Sequence, residues 1–400
     1  MLRGADIICV SSLDWEAHWT SKQQIMARLA ETNRILYVEE PVTMLAPLKV
    51  PARWRRWRSV APRLRHVRPG LWVLTPPPVL PFGNMYPRVN SANQALLSQY
   101  IKWASAKAGL EKPILWTYLP TSVDLIDRVQ PEALIYHCVD EHSAFPGHIT
   151  PEVVRGYDEA LTRRADLVIT SAQNLLLSRC HLNPNMHHVL HAADISLFAK
   201  ALDPDLPLPE DIAGIPSPRV GVVGVHDERL DVDALVTIAR EEPSWHVILV
   251  GPVQPGDVDE AALRELPNVH LLGGKTLEEL PAYLKALDVA LIPYKVNELT
   301  RNIFPLKLYE YLAAGLPVVA GNLPELAPFS DRVALATSPR EYVSLVRAAL
   351  ASDDAEARAA RSACAAENSW DKRVEEISDL VEQMLVNKKT TMSLPNGESL

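Results

Sequence analysis

Residues 297–320 read NELTRNIFPLKLYEYLAAGLPVVA. Within this stretch, Pro305 suits the first position of a helix, because its missing N–H would have no intrahelical partner there. Gly315 is suited to end the helix in a left-handed conformation. The sequence therefore predicts a helix that carries Lys307 and Glu310 near its start and is followed by an apolar strand.

The predicted start of this helix combines two cations with a carboxylate. Free N–H groups at a helix N-terminus, beside Arg301 and Lys307, form a site for a diphosphate. Glu310, one turn further, can accept hydrogen bonds from the vicinal hydroxyls of a ribose. The alternative is a surface helix with a Lys–Glu pair worth only ~0.3 kcal/mol. The clustering of charges favours a nucleotide-sugar site.

The composition is that of a globular protein with an acidic balance. The chain has 400 residues, of which 48% are hydrophobic, and a formal net charge of −9. This length allows two core-bearing domains, and the negative charge argues against nucleic acid as a partner. The four cysteines, Cys9, Cys138, Cys180 and Cys364, show neither metal-ligand nor redox spacing. We expect reduced thiols in a cytoplasmic protein, and no run is long enough for a membrane span.

Short apolar runs alternate with helical patterns along the chain, which indicates βαβ units and parallel sheets. The predicted strands are 6–11, 34–38, 114–117, 134–138 and 167–170 in the first half, and 219–225, 246–250, 269–272, 289–293 and 317–320 in the second. The predicted fold class is α/β, with two Rossmann-like, doubly wound domains facing a central cleft. Ligands of such sheets bind at the carboxyl ends of the strands.

Proline marks the expected boundary between the two domains. Residues 201–217 are rich in proline and are predicted to form a linker between a domain at 1–200 and a domain at 218–368. A helix at 369–386 is expected to pack back on the first domain. The polar residues 387–400 are expected to be disordered.

Several segments in a fixed order carry a resemblance to a known family. They are 115–120 (LWTYLP), 136–141 (YHCVDE) and 165–171 (ADLVITS), followed by 222–231 (VVGVHDERLD), 248–252 (ILVGP), 268–274 (NVHLLGG), 288–294 (DVALIPY) and 297–320. Over nearly its whole length the chain resembles GT-B glycosyltransferases. It is most similar to the retaining, family-4-like enzymes of bacterial polysaccharide assembly, including teichuronic-acid-type transferases.

This resemblance implies an enzyme that moves a sugar from a nucleotide-sugar to a glycan or polyprenyl-linked acceptor in bacterial cell-surface polysaccharide biosynthesis, with retention of configuration. The first domain would bind the acceptor and the second the donor. No cofactor and no metal are expected, because cationic side chains can balance the diphosphate. The alternatives are a nucleotide-sugar epimerase of the same fold and a non-catalytic nucleotide- or glycan-binding protein.

The donor helix supplies most of the residues that the resemblance implicates. The family usually has two spaced glutamates here. Glu310 matches the second, which holds the ribose, whereas Asn302 stands in place of the first, which contacts the donor sugar. Arg301 and Lys307 would stabilise the departing diphosphate and are predicted to be catalytic. The predicted donor-binding set also includes Thr300 and Leu308.

Two loops at strand ends complete the predicted donor site. Gly224 and His226 lie on the loop that would approach the diphosphate closely, and Arg229 would join the cations. Gly273 and Gly274 follow the strand near which the family seats the base. A plain turn role for these glycines is an equal alternative.

The first domain has one cluster of polar side chains at a strand end. Asp140 is predicted to contact the transferred sugar or the acceptor, and Glu141 is the second choice, because side chains alternate along a strand. The alternative for either is a solvated carboxylate or the cap of the next helix. His137 is expected to be a packing residue. The acceptor side would also be shaped by Asp14, Trp15 and His18.

A basic, aromatic segment interrupts the acidic chain. Seven arginines lie between Arg53 and Arg68, and Trp54 and Trp57 lie among them. Cations that meet anionic headgroups, with indole rings at the interface, suit the inner face of a cell membrane. The alternative is a solvated helical face with its tryptophans packed inward. We therefore predict a peripheral membrane contact.

Overall fold

The computed structural model describes residues 1–17, 19–45, 62–145 and 149–393. The chain divides into two compact units. The first unit comprises Met1–Leu190 and a second piece that starts at Asp371. The second unit is His191–Trp370. Among the described residues, no helix is both long and apolar enough to cross a membrane.

The first unit contains one sheet with helices in the connections. Within the described residues its strands are β1 (Asp6–Val10), β2 (Arg34–Val38), β3 (Arg63–Arg68), β4 (Leu71–Thr75), β5 (Ile114–Thr117), β6 (Ala133–Cys138), β7 (Leu167–Thr170) and β8 (Met186–His188), in the order 3-4-2-1-5-6-7-8. All neighbours are parallel except β3 and β4. The helices are α1 (Ser21–Leu29), α2 (Pro87–Ala108), α3 (Ile126–Val129), α4 (Pro151–Arg164) and α5 (Gln173–Arg179), with 3-10 turns at Pro120–Leu125 and His142–Ala144.

The second unit has a fully parallel sheet. Its strands are β9 (Arg219–Val223), β10 (His246–Val250), β11 (Val269–Gly273), β12 (Val289–Ile292), β13 (Val318–Gly321) and β14 (Val333–Ala336), in the order 11-10-9-12-13-14. The α-helices are α6 (Ile195–Phe198), α7 (Glu210–Ala213), α8 (Val232–Glu241), α9 (Glu260–Arg264), α10 (Leu280–Ala286), α11 (Lys307–Ala313), α12 (Pro339–Ser352) and α13 (Ala355–Ala365). The 3-10 turns are Ala199–Leu202, Thr300–Asn302, Pro324–Phe329 and Ala366–Asn368. Every residue of β12 and β13 is buried, as expected for parallel strands covered on both faces.

Strand order places a potential ligand site in each unit. In the first sheet the order reverses between β1 and β5, and in the second it reverses between β9 and β12. Connections leave in opposite directions at such a point, which opens a crevice at the carboxyl ends of the two strands. The side chains that follow these strands are therefore the first candidates for function.

The α/β prediction is confirmed, and all ten predicted strands are present. The sequence reasoning missed β3, β4, β8 and β14. β3 reads RLRHVR and is an edge strand whose charged side chains are partly or fully exposed, so it lacks the apolar run that marks a strand. β8 has only three residues, none of them buried.

The segment 201–217, predicted as a linker, lies within the second unit. Lys285 on α10 donates hydrogen bonds to the carbonyls of Asp203, Pro204 and Leu206. Asp211 accepts hydrogen bonds from Lys275 and Tyr283. These contacts fasten the segment to α10, a long-range effect that composition alone does not report.

The last helix, α14 (Trp370–Ser393), joins the first unit from Asp371 onward. Asp371 pairs with Arg28 at 2.6 Å, and Lys388 pairs with Asp166 at 2.6 Å. A stripe of α14 side chains is buried, namely Val374, Ile377, Val381 and Met384. The expectation of disorder after 386 is wrong for 387–393, which continue the helix, and 394–400 lie outside the described residues.

Candidate functional site

The donor helix is shorter than predicted. It begins at Lys307 rather than Pro305, because the residues before it form a tighter turn in which Leu308 N–H donates to Pro305 O. Gly315 has φ of +77°, so its predicted left-handed conformation is confirmed. With only seven residues, α11 is a weak dipole, and side-chain charge must supply most of the anion binding.

Lys307 lies directly against the end of β9. Its Nζ donates to the Tyr294 hydroxyl at 3.3 Å. A methyl group on Gly224 would lie 2.5 Å from Lys307 Cε and 2.6 Å from Nζ and would push the lysine aside, and the φ of +122° at Gly224 itself favours glycine. Gly251, at the end of β10, is equally constrained, since a Cβ would lie 1.8 Å from Gly224 O. Two glycines therefore bring Lys307 to the crevice between β9 and β12.

Tyr294 forms a platform for two cations. The Arg229 guanidinium lies 5.3 Å from the Tyr294 ring centroid, and Lys307 Nζ lies 5.9 Å from it. Asp227 accepts two hydrogen bonds from the guanidinium group of Arg229, at 2.8 Å and 2.5 Å, which fix the guanidinium plane. Burial tends to raise the pKa of Asp227, but Arg229 holds it below its ordinary value. Sequence reasoning missed Tyr294, although it ends the DVALIPY segment.

His226 is buried beside these cations. Its side chain is 1% exposed, and neither ring nitrogen has a hydrogen-bond partner among the described residues. Burial, and secondly the charge of Lys307, lowers the pKa of His226 to about 4. The imidazole is therefore neutral at physiological pH and offers one donor and one acceptor. An unsatisfied buried polar group beside a lysine is a strong indication of a ligand site.

Glu310 lies one turn along α11 from Lys307. It is half-buried, and burial raises its pKa although Lys307 opposes the shift. The carboxylate makes no hydrogen bond or ion pair within the part of the chain that the structure describes. The next residue, Tyr311, anchors the helix, since its hydroxyl accepts a hydrogen bond from Val223 N–H at 2.9 Å. Tyr311 thus fixes the position of Glu310 on the helix, and the Glu310 carboxylate has no partner among the described residues.

The other predicted residues of this segment have different positions. Thr300 is fully buried and its hydroxyl donates to Lys295 O, so it shapes the loop. Leu308 is also fully buried, and its side chain belongs to the core. These two predictions are corrected, because burial leaves neither side chain free for a ligand. Asn302 donates to Glu298 O at 2.7 Å, and Arg301 is exposed.

The two glycines after β11 have the simpler role. Gly273 has φ of +73°, and its carbonyl accepts a hydrogen bond from Gly251 N–H. A Cβ on Gly273 would meet nothing within 4 Å. The nearest atom to a Cβ on Gly274 is 3.7 Å away, an ordinary contact. Both residues are exposed, and the left-handed φ of Gly273 is what the turn alternative requires.

In the first unit, the structure separates the two neighbouring carboxylates. Glu141 caps the His142–Ala144 turn, accepts a hydrogen bond from the Ser143 hydroxyl at 2.6 Å and pairs with Arg179 at 2.7 Å. Burial alone would raise the pKa of Glu141, but Arg179 and the Ser143 hydrogen bonds hold it below its ordinary value. The cap alternative therefore describes Glu141. Asp140 is half-buried after β6, and its side chain makes no hydrogen bond with a described residue.

Arg179 joins three elements through a buried network that sequence reasoning missed. Its Nε donates to Asp158 at 2.7 Å, and its Nη2 donates to Glu141. Tyr136 on β6 donates to the second oxygen of Asp158. The side chains of Arg179 and Asp158 are each 6% exposed. The network fixes the backbone next to Asp140.

The loop after β1 is built on an aromatic cluster. Trp15 is 3% exposed, and its backbone N–H donates to the Glu39 carboxylate at 3.0 Å. Its ring centroid lies 5.2 Å from that of Trp19 and 5.1 Å from that of Tyr37. Asp14 lies on the same loop, and His18 falls outside the described residues. His137 is 2% exposed and stacks on Tyr118.

The described residues contain no group of three or more His, Cys, Asp or Glu side chains that could hold a metal ion. In the second unit, the charged groups described at the crevice include Lys307, the Arg229–Asp227 pair and Glu310, and neutral His226 lies near Lys307. Such a set fits a diphosphate joined to a hydroxylated ring.

Comparisons with known proteins agree with this geometry. Residues 218–352 match the sequence family described as Glycosyl transferases group 1. The protein TuaH of Bacillus subtilis (strain 168), provisionally named as a teichuronic acid biosynthesis glycosyltransferase, is 30% identical over 233 residues. That match covers 55% of this chain and 58% of the length of TuaH.

Solved structures extend the likeness to nearly the whole chain. Sucrose-phosphate synthase from Thermosynechococcus elongatus has a TM-score of 0.72 at 17% identity and covers 96% of this chain and 100% of its own. HepE from Anabaena, in complex with UDP and glucose, has a TM-score of 0.64 at 15% identity, with 94% and 99% covered. A trehalose 6-phosphate synthase from Burkholderia multivorans has a TM-score of 0.69 at 12% identity, with 97% and 100% covered.

These likenesses define the class of protein. The chain has the GT-B fold of glycosyltransferases, as its sequence resemblance implied. The part of the second unit that matches the Glycosyl transferases group 1 family contains β9–β14 and the cluster around Lys307.

Proposed function

We propose that this protein is a glycosyltransferase that moves a sugar from a nucleotide-sugar to a glycan or lipid-linked acceptor in bacterial cell-surface polysaccharide biosynthesis. The observation that carries the proposal is the convergence of Lys307, Arg229 and unsatisfied His226 at the switch point of the second sheet, with Glu310 open beside them. The group 1 domain and the relative TuaH support it. HepE, a relative in fold, binds UDP and glucose.

In this proposal, catalysis works by position and charge. Lys307 and Arg229, joined by exposed Arg301, stabilise negative charge as it builds on the departing diphosphate. Neutral His226 donates a hydrogen bond to the same group, and Glu310 accepts hydrogen bonds from ribose hydroxyls. We propose no metal in this role, because the cations already oppose the diphosphate charge.

The acceptor step is proposed to retain configuration. The acceptor hydroxyl attacks the anomeric carbon from the face that the diphosphate leaves. One carbon–oxygen bond forms as the other breaks, and the hydroxyl proton passes to the diphosphate. Asp140, whose carboxylate is free at the end of β6, contacts the transferred sugar or the acceptor.

Nucleotide binding tests the donor site directly. We expect UDP, GDP, ADP or dTDP to raise the Tm of the wild-type protein, since a ligand at a hundred times its Kd stabilises the fold by about 2.7 kcal/mol. Glu310→Ala should weaken binding of the preferred nucleotide by about ten- to a hundredfold, the value of a hydrogen bond to a charged group. It should leave the Tm of the free protein unchanged, because Glu310 has no partner to lose.

The matched control is Glu278→Ala, an exposed glutamate of the same unit. Nucleotide affinity equal to wild type in Glu310→Ala would refute the placement of the ribose on α11. Incubation with nucleotide-sugars separates the functional classes. Acceptor-dependent release of diphosphate marks a transferase, interconversion of sugars marks an epimerase, and binding without turnover marks a non-catalytic protein.

We also propose that the first unit contacts a membrane surface. Residues 53–61 of the predicted basic segment lie outside the described residues, and the described part of the same unit exposes apolar side chains at 44–45 and 80–86. Met44 N–H pairs with Val79 O, which brings 44–45 beside 79–80. The exposed apolar residues nearby are Met44, Leu45, Leu80, Phe82 and Tyr86. Exposed apolar side chains in a unit whose sequence also carries a basic segment fit an anionic bilayer.

Co-flotation with liposomes tests this contact. Replacing Arg55, Arg56 and Arg58 by glutamate should abolish binding to anionic liposomes, since each basic residue near the surface contributes about 1 kcal/mol. The equal charge change at exposed arginines of the second unit, Arg264, Arg332 and Arg340, should leave binding intact. Wild-type protein that ignores anionic liposomes at low salt would contradict the proposal.

A further inference from the structure

Lys22 is a buried lysine that has no hydrogen-bond or ion-pair partner among the described residues. It lies in the first turn of α1, and its residue is 6% exposed. Its Nζ is 5.4 Å from the centroid of the Tyr118 ring. Within the described residues it makes no hydrogen bond and no ion pair. A lysine side chain that is largely buried and has no carboxylate paired with it is destabilising unless another group balances its charge.

The same unit contains a buried cation with a structural role, which makes the contrast clear. Arg179 is 5% exposed, about as buried as Lys22. It donates to Asp158, Glu141 and the Ser178 hydroxyl. A cation that stabilises this fold thus has its donors satisfied by the chain itself. Lys22 has no hydrogen-bond partner among the described residues, so its burial calls for a different explanation.

Lys22 lies where the first sheet offers a ligand site. α1 follows β1, and Tyr118 follows β5, the two strands between which the strand order reverses. Burial lowers the pKa of Lys22, and the nearby carboxylates of Asp140 and Glu40 partly oppose the shift. Asp140 follows β6 and Glu40 lies just beyond β2. Both are half-buried, and neither is close enough to pair with Lys22.

We propose that Lys22 is the anion-binding residue of a second ligand site, at the carboxyl ends of β1, β5 and β6, which takes the carboxylate or phosphate group of a sugar acceptor. The ammonium group would pair with that group, while Asp140 accepts hydrogen bonds from sugar hydroxyls. The site therefore suits an acidic sugar or a sugar phosphate better than a neutral sugar. This inference rests on the proposed function and adds the chemical class of the acceptor.

The test uses the full chain and three probes, measured by calorimetry. Glucuronate and glucose 6-phosphate carry the two candidate anionic groups, and glucose is the neutral match. Wild-type protein should bind at least one anionic probe more tightly than glucose. Lys22→Met should weaken that binding tenfold or more, as expected for the loss of a charged hydrogen bond. Lys102→Met, at an exposed lysine on α2, should change nothing.

The stability of the variant separates this role from a structural one. Methionine fills similar space without the buried charge, so Lys22→Met should raise the Tm by about 2–4 °C while it loses the ligand. If Lys22→Met does not fold, the wild-type protein can still test the role of Lys22. Acylation of Lys22, followed by mass spectrometry, should be suppressed by the anionic probe and not by glucose.

Two outcomes would overturn the inference. One is a wild-type protein that binds a nucleoside diphosphate but shows no preference for either anionic sugar over glucose. The other is anion binding that survives in Lys22→Met and disappears in Lys307→Met, which would place the anion in the second unit. Failure to bind any nucleoside diphosphate would instead contradict the proposed function. The tighter anionic probe identifies the group as carboxylate or phosphate.

Discussion

Lys307→Met is expected to slow turnover by about a hundred- to a thousandfold and to weaken nucleotide binding as well. The methionine keeps the packing against Gly224 but removes the charge that faces the diphosphate. Because negative charge grows on that group as the glycosidic bond breaks, the loss should be larger in kcat than in donor affinity. Steady-state kinetics with the preferred nucleotide-sugar, together with calorimetry, gives both values.

Two further measurements make the Lys307 prediction specific. Lys295→Met removes an exposed lysine just beyond β12 and should leave kcat unchanged. The pKa of His226, lowered to about 4 by burial and then by Lys307, should rise in Lys307→Met, and nuclear magnetic resonance of the imidazole can follow it. A wild-type kcat in Lys307→Met would show that the diphosphate lies elsewhere.

Arg179→Leu is expected to lower the free energy of unfolding of the first unit by about 3–5 kcal/mol, because two carboxylates lose their buried cation together. Asp158 and Glu141 would remain inside without a compensating charge. Urea unfolding, followed by a probe in the first unit, measures the change. Arg164→Leu removes an arginine that pairs with exposed Asp127 and should cost less than about 1 kcal/mol.

The pH dependence gives this second prediction a sign. In the wild type the pKa of Glu141 is depressed, so its contribution to stability is present above the ordinary glutamate range and is lost as the pH falls through its folded value. In Arg179→Leu, burial without the guanidinium should raise the pKa of that carboxyl. The difference between the two proteins should therefore be largest near neutral pH and shrink on acidification. A difference in unfolding free energy between the two proteins that is the same at neutral and at acidic pH would contradict this role of the network.

The sequence predicted the features that depend on neighbouring residues alone, such as the end of a helix or an apolar strand. Gly315 could be assigned a left-handed conformation because the strand must follow the helix at once, and φ of +77° agrees. Ten strands could be predicted because each is a short run of apolar residues. β3 was not predicted because this edge strand contains three arginines and no apolar run. Its pairing with β4 is nevertheless regular over most of its length.

The site was harder to predict where long-range contacts decide. Side-chain alternation could not choose firmly between Asp140 and Glu141, because the choice depends on Arg179, which lies 38 residues further along the chain. The sequence places His226 on the loop after β9, but its lack of a hydrogen-bond partner among the described residues follows from burial that the sequence does not show. The sequence resemblance includes Thr300 and Leu308 in the donor-binding set, but both side chains are buried in the structure, which the sequence does not show.

Helix α14 has a consequence for how the chain matures on the ribosome. Its buried stripe and its pairs with Arg28 and Asp166 complete the first unit, yet it is synthesised only after the whole of His191–Trp370. At a typical elongation rate the first unit therefore waits roughly 10–40 s for its last helix. During that interval the apolar surface that α14 later covers is exposed, whereas the second unit is continuous in sequence and can fold as it emerges.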